Sequence, residues 1–369
     1  MVASRLVGAL APEVGAGLVE VDLLTETDDH LYQPGLLYLA LGRATAEELH
    51  RRESQLIAPE VHLTIGRAAS VDTDRCEVRT ADGRVLPYDY LVLATGSGPA
   101  WSEIPGLAEG GYEFYTERGA LRLQERLNSF TGGRIVLTVG VPHKCPVAPL
   151  EFVFLLDEVL RARGIREKAE LVYTYPLGRA HSIETVAPWA EEALHERHIE
   201  LETFVNMETV DPEARVVHTM ESEEIPYDLL VSVPPHQGAA FLAAPESTEG
   251  LTTPGNWIRT DRHTLQVTGT ENVYAVGDAT DLPISKAGST AHYEAEAVTE
   301  MLVARLRGGS SSRLYDGKVY CFIESGREEA TYIAFDYEHP PRPVPPSRLL
   351  HLFKLAFNRS YWLMPQGIV

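Results

Sequence analysis

Cys76, Cys145 and Cys321 are the cysteines of this chain, and Cys145 has the surroundings that most invite chemistry. It lies in Val141-Pro-His-Lys-Cys145-Pro-Val-Ala-Pro149. Before it, Ile135–Gly140 reads as a buried parallel strand; after it, Leu150–Leu160 reads as a helix. A nicotinamide site at such a junction calls for Gly-x-Gly-x-x-Gly, so that the backbone can close on a pyrophosphate at the helix N-terminus. Three prolines and no glycine beyond Gly140 make a poor phosphate cradle. A thiol flanked by His143 and Lys144, just before a helix, is instead expected to ionise readily, because positive charge and the helix dipole favour the thiolate. Cys321 lies in the strand-like run Lys318–Glu324, and its type alone fits a small core residue as well as a reactive one. Cys76, in the alternating run Arg75–Arg79, reads as a strand residue.

The elements around these residues set the class. The 369 residues allow two domains with filled cores. With 44% hydrophobic and 23% charged residues, the composition is that of a globular protein. The net charge of −21 argues against nucleic-acid partners, since phosphate contacts need a basic surface. No run of about 18 apolar residues predicts a membrane span. Three cysteines do not make a disulfide framework, and no cluster of metal ligands stands out.

Met1–Pro12 reads as a helix and Gly17–Thr25 as a strand closed by Glu26. A Rossmann unit runs strand, glycine turn, helix, strand, acidic residue, with the carboxylate on the ribose hydroxyls. The helix, second strand and Glu26 are in place, so a first strand and glycine turn are expected just upstream of Met1. Taken alone, Glu26 is equally a surface carboxylate. Leu91–Gly96 is an apolar strand ending in Ala-Thr95-Gly96, and Asn272–Asp278 is another ending in Gly277-Asp278. A carboxylate presented past a glycine can reach the ribityl hydroxyls of a flavin. The expected layout is α/β: a split flavin unit (1–115 and 263–308), a second doubly wound unit inserted in it (116–262), and a C-terminal segment (313–369).

In this order the motifs resemble the flavin domain of the two-dinucleotide-binding-domain flavoproteins, the disulfide reductase superfamily. With the Cys145 loop, Glu151, Gly277-Asp-Ala-Thr-Asp-Leu-Pro-Ile-Ser-Lys286-Ala-Gly288 and the Cys321 strand added, the chain resembles the sulfide:quinone oxidoreductases and the flavocytochrome c sulfide dehydrogenase flavoproteins. The resemblance implies FAD as cofactor and two cysteines that flank the flavin and shuttle sulfur. Cys145 and Cys321 match those positions; Cys76 does not match the third cysteine of many members. It further implies Glu151 as a base, His181 beside the sulfide entrance, and Lys286 with the helix at Gly288 near the flavin ring. Sulfide and membrane quinone are the implied partners, and a homo-oligomer stays open. Three alternatives accompany this reading: electrons passed to a cytochrome c, a type II NADH:quinone oxidoreductase, and a flavin-free relic that only binds. The second is disfavoured by the glycine-poor Val141–Pro149 loop.

In Ser347–Asn358, Leu349, Leu350, Leu352, Phe353, Ala356 and Phe357 share one helical face, opposite Arg348, His351, Lys354 and Asn358. No acid follows Glu338, whereas Arg342, Arg348, Lys354 and Arg359 do. A basic amphipathic end with Tyr361 and Trp362 is the pattern of a helix lying in a membrane interface. The expected location is therefore the surface of a prokaryotic cytoplasmic membrane, on a face the sequence does not fix. A helix packed on the protein or in a dimer contact is the competing reading.

Overall fold

The computed structural model describes residues 1–368. The fold is α/β, with parallel strands flanked by helices. Helix α1 (Val2–Ala9) leads to β1 (Asp22–Thr25), which pairs in parallel with β2 (His62–Ile65). After β3 (Leu91–Leu93), the chain leaves this first unit through β4 (Ser97–Pro99).

A wholly parallel five-stranded sheet follows. Its strands are β5 (Gly111–Tyr112), β6 (Gly133–Val139), β7 (Ala169–Tyr175), β8 (Glu200–Thr203) and β9 (Leu229–Val233), in the order β5-β9-β6-β7-β8. β6, β7 and β9 are buried along most of their length, which is why their sequences are apolar runs rather than alternating patterns. Helix α2 (Ala148–Ala162) connects β6 to β7 and has Pro149 in its first turn, where no amide hydrogen bond is lost. It is apolar nearly all round and is covered on several sides, including by the later Cys321 strand.

The chain returns through β10 (His236–Gly238), antiparallel to β4, and then β11 (Val273–Ala275), parallel to β3. The pairs β1–β2 and β3–β11 share no ladder among the described residues. Helix α3 (Gly288–Leu306) packs on α1, and Leu6, Leu10, Tyr274, Val298 and Leu302 form their common core. The hairpin of β12 (Val319–Gly326) and β13 (Glu329–Phe335) lies against α2, and helix α4 (Arg348–Ser360) lies against the hairpin. The Ser347 hydroxyl caps α4 by accepting from Leu350 N (3.3 Å).

Two local expectations fail. Cys76 is not in a strand: it has φ 54° in the turn before the strand Glu77–Thr80. The Asp72 side chain closes that turn by accepting from Asp74 N and Arg75 N. The strand expected from Gly17 begins only at Asp22, because Gly17 (φ 67°) lies in the turn after the short helix Ala11–Gly15.

Candidate functional site

The loop between β6 and α2 carries Cys145 and is held from two directions. His236 N donates to Pro142 O (2.6 Å), and Cys145 N donates to Lys286 O (2.8 Å). Cys145 takes a left-handed φ of 56°, and its carbonyl accepts from Ala148 N at the start of α2 (3.1 Å). Cys321, on β12, is 8% exposed. The two cysteines, both free thiols, meet in one apolar cluster with Val147, Ile284 and Ala287.

The expected easy ionisation of Cys145 does not hold. Burial pushes its thiol up to about 11 and drives Cys321 higher still. The flanking cations do not offset this. His143 is pushed down to about 4 by its own burial, so it is neutral. Lys144 turns away from the thiol: its Nζ donates to Gln33 Oε1 (2.7 Å) and lies 3.9 Å from Asp278. The cation whose field favours both thiolates is Lys354, from the far end of the chain.

Lys354 Nζ pairs with Glu151, which is buried in the first turn of α2 and also accepts from Tyr38 OH (3.2 Å). Burial works against the Lys354 charge, yet the Glu151 and Glu324 carboxylates hold its pKa above the ordinary lysine value. Glu324 is buried beside it, hydrogen-bonded to His351 Nδ1 (2.9 Å), and burial raises its pKa. Tyr32 OH donates to Asn358 Oδ1 (2.9 Å). Helix α4 therefore turns His351, Lys354 and Asn358 inward. Leu349, Leu352 and Phe353 remain 60%, 59% and 53% exposed, the reverse of an ordinary surface helix. Within the predicted apolar face, Leu350 and Phe357 are half-buried, and the Phe357 ring packs on Tyr320 with centroids 5.4 Å apart.

A cleft of about 760 Å³ opens beside the cysteine loop, with His143, Pro146, Ser182, Ile183, Lys286 and Tyr337 on its wall. His181 is fully buried behind Ser182 and Ile183. Its Nδ1 accepts from Ile183 N (3.0 Å), and burial pushes it down to about 4.

The candidate cofactor residues line up along the strand ends. Glu26 follows β1 and is exposed. Thr95 and Gly96 follow β3, and Gly277 and Asp278 follow β11; both glycines have positive φ (65° and 72°). A Cβ at Gly96, Gly98 or Gly288 would meet nothing within 4 Å, so these backbones face open space. Lys286 Nζ donates to Thr280 O and stands 4.2 Å from the Trp257 ring centroid. Ser97 Oγ, His236 Nε2, Ser285 Oγ and Glu294 Oε1 are buried on neighbouring segments without partners among the described residues. An unpaired buried polar atom costs about 1–3 kcal/mol, so a concentration of them fits a polar ligand. Gln33, Tyr38, His236, Glu294 and Glu324 were not singled out from the sequence. The one available signal was a polar residue inside an apolar run, as Tyr38 is within Leu36–Leu41.

Comparison with known proteins fits this geometry. Residues 9–140 match the pyridine nucleotide-disulphide oxidoreductase family. The mitochondrial sulfide:quinone oxidoreductase of Mus musculus is 25% identical over 337 residues, covering 88% of this chain and 74% of that protein. The chain is similar to the sulfide:quinone oxidoreductases. The sulfide-quinone reductase of Aquifex aeolicus is 23% identical over 373 residues, covering 95% of this chain and 86% of that one. The solved structure of the sulfide:quinone oxidoreductase from Aquifex aeolicus superposes with a TM-score of 0.88 at 22% identity. It covers 99% of this chain and 88% of that chain, so the sulfide:quinone oxidoreductase fold extends over essentially every element described above.

Proposed function

We propose that the protein is an FAD-dependent sulfide:quinone oxidoreductase that oxidises sulfide to polysulfide or sulfur and works on a membrane surface. The observation that carries this reading is the meeting of Cys145 and Cys321 in one apolar cluster, beside a cleft and within the field of one buried lysine. The residues fit FAD. Glu26 would take ribose hydroxyls, Asp278 the ribityl hydroxyls past Gly277, and the N-terminus of α3 at Gly288 the electron-rich edge of the ring, with Thr95, Gly96 and Lys286 lining the approach. FAD, when bound, takes two electrons from the sulfur centre and gives them to quinone.

In the oxidised site the two cysteine sulfurs are bridged. Hydrosulfide arriving through the cleft attacks the Cys145 sulfur: a new S–S bond forms to Cys145, the bridge breaks, and Cys321 leaves as a thiolate. The apolar cluster makes that thiolate costly, and a thiolate of high pKa is a strong nucleophile and electron donor. Lys354 offsets part of its charge, and Glu151, held by Lys354 and Tyr38, is the group that accepts a proton from the sulfur chain. His181 keeps the loop before the cleft wall in place through Ile183 N. Purified protein loaded with FAD should reduce a short-chain quinone only when sulfide is added. Equal reduction with NADH alone would favour the type II NADH dehydrogenase reading.

The exposed face of α4 supports quinone, rather than a soluble cytochrome, as electron acceptor. No helix among the described residues is long and apolar enough to cross a membrane. Leu349, Leu352 and Phe353 project outward, with Arg348 and Arg359 exposed at the helix ends, as suits a helix lying in a lipid interface. Each such side chain contributes about 1.5–3 kcal/mol when fully buried. The triple variant Leu349→Ser, Leu352→Ser, Phe353→Ser should therefore lose vesicle binding by on the order of a hundredfold or more, with its unfolding midpoint unchanged. Unchanged flotation with vesicles, or a loss of dimer in its place, would sink the membrane assignment.

A further inference from the structure

Helix α3 contributes a carboxyl that neither the sulfur chemistry nor the membrane face uses. Glu294 is fully buried. Its Oε2 accepts the Gly277 N–H, and its Oε1 has no partner among the described residues. This hydrogen bond runs from the helix to the turn after β11. Gly277 itself has a left-handed φ of 72°, a backbone conformation that an L side chain rarely adopts. One side chain thus ties together two parts of the flavin site: the N-terminal half of α3 and the turn that carries Asp278.

We propose that Glu294 is a positioning residue for FAD, holding the Gly277–Asp278 turn against α3 and coupling the grip on the cofactor to its own protonation. The proposal rests on the flavoprotein reading above. The titratable groups facing Glu294 are Asp278 from the turn, Lys286 from the loop that follows, and Tyr315 and Tyr337 from the C-terminal segment. Burial raises the Glu294 carboxyl to about 8, with the Gly277 amide opposing the shift and Asp278 adding to it. At neutral pH the group is protonated, and its ionisation above about 8 places a carboxylate charge beside the Asp278 side chain. Lys286 offsets part of that charge through space, although its ammonium is engaged by Thr280 O and lies over the Trp257 ring. The strain falls on Asp278, whose side chain is 22% exposed and is the one assigned to the ribityl hydroxyls.

The sign follows from linkage: if FAD binds better to the protonated form, its affinity falls as pH rises through the Glu294 pKa. The test is equilibrium titration of apoprotein with FAD at a series of pH values from neutral to about two units above, where a coupling of one pKa unit is a tenfold change. Native protein should lose on the order of tenfold in affinity. Glu294→Gln keeps an amide oxygen for the Gly277 N–H and does not ionise, so its affinity should match native at neutral pH and stay flat. Glu294→Ala leaves the Gly277 amide unsatisfied and should bind FAD more weakly at every pH. Native affinity that is independent of pH, or a Glu294→Gln variant with the native pH dependence, overturns the proposal while FAD binding itself stands. No FAD binding by native protein at any pH overturns the flavoprotein reading and this proposal with it.

Discussion

Cys321→Ser should lose sulfide-dependent quinone reduction by at least about a thousandfold in kcat/KM, the scale seen when a nucleophile is removed. Serine preserves the shape of the side chain, but its oxygen neither bridges to Cys145 nor exchanges with hydrosulfide. Cys145→Ser should fall as far, and the double variant no further, because two residues acting as one unit give non-additive losses. Cys76→Ser should leave turnover unchanged: its sulfur donates to Thr73 O and accepts from Asn272 Nδ2 (3.4 Å), and it is not part of the Cys145–Cys321 cluster. FAD content and thermal midpoint are the controls. A serine hydroxyl in the Cys321 cluster costs some stability, on the order of 1–3 kcal/mol, so the assay belongs well below the midpoint. Turnover within about tenfold of native in either single variant would remove the cysteine pair from the mechanism.

The same pair shows what a sequence discloses. Cys145 was legible because its loop departs from a phosphate cradle in a place where strand and helix are unmistakable; β6 and α2 begin and end within two residues of where the apolar runs stop. The strand-end glycines Gly96 and Gly277 were legible for a similar reason, since left-handed backbone after a strand narrows the choice of residue. Its ionisation was misjudged because local charge says nothing about burial. His143 and Lys144 are neighbours in sequence, yet one is neutralised by the interior and the other reaches Gln33 and Asp278 instead. The cation that matters, Lys354, comes from a helix whose two faces the periodicity separates without saying what the polar one meets. Periodicity gives two faces and does not tell which one meets the protein. Here three polar side chains have buried partners on α2, β12 and the Tyr32 segment, so the polar face won.

That inversion makes Lys354 the residue whose loss should most affect stability. Lys354→Met removes the cation and leaves Glu151 buried with only Tyr38 as a donor, a change expected to cost about 3–5 kcal/mol at neutral pH. Lys354 has its pKa raised by the carboxylates around it, so the stabilisation it gives is complete below the ordinary lysine value and disappears in alkali as the folded pKa is passed. Denaturant midpoints from neutral pH into alkali measure that loss. The double variant Lys354→Met, Glu151→Gln removes both buried charges while an amide still meets Tyr38, and it should recover most of the lost stability, since replacing a whole buried pair is often near neutral. Turnover should not recover with it, because the Cys321 thiolate would still lack its cation and the sulfur chain its base. A Lys354→Met variant as stable as native, or a double variant that regains activity along with stability, would show that the pair only fastens α4 and takes no part in the sulfur chemistry.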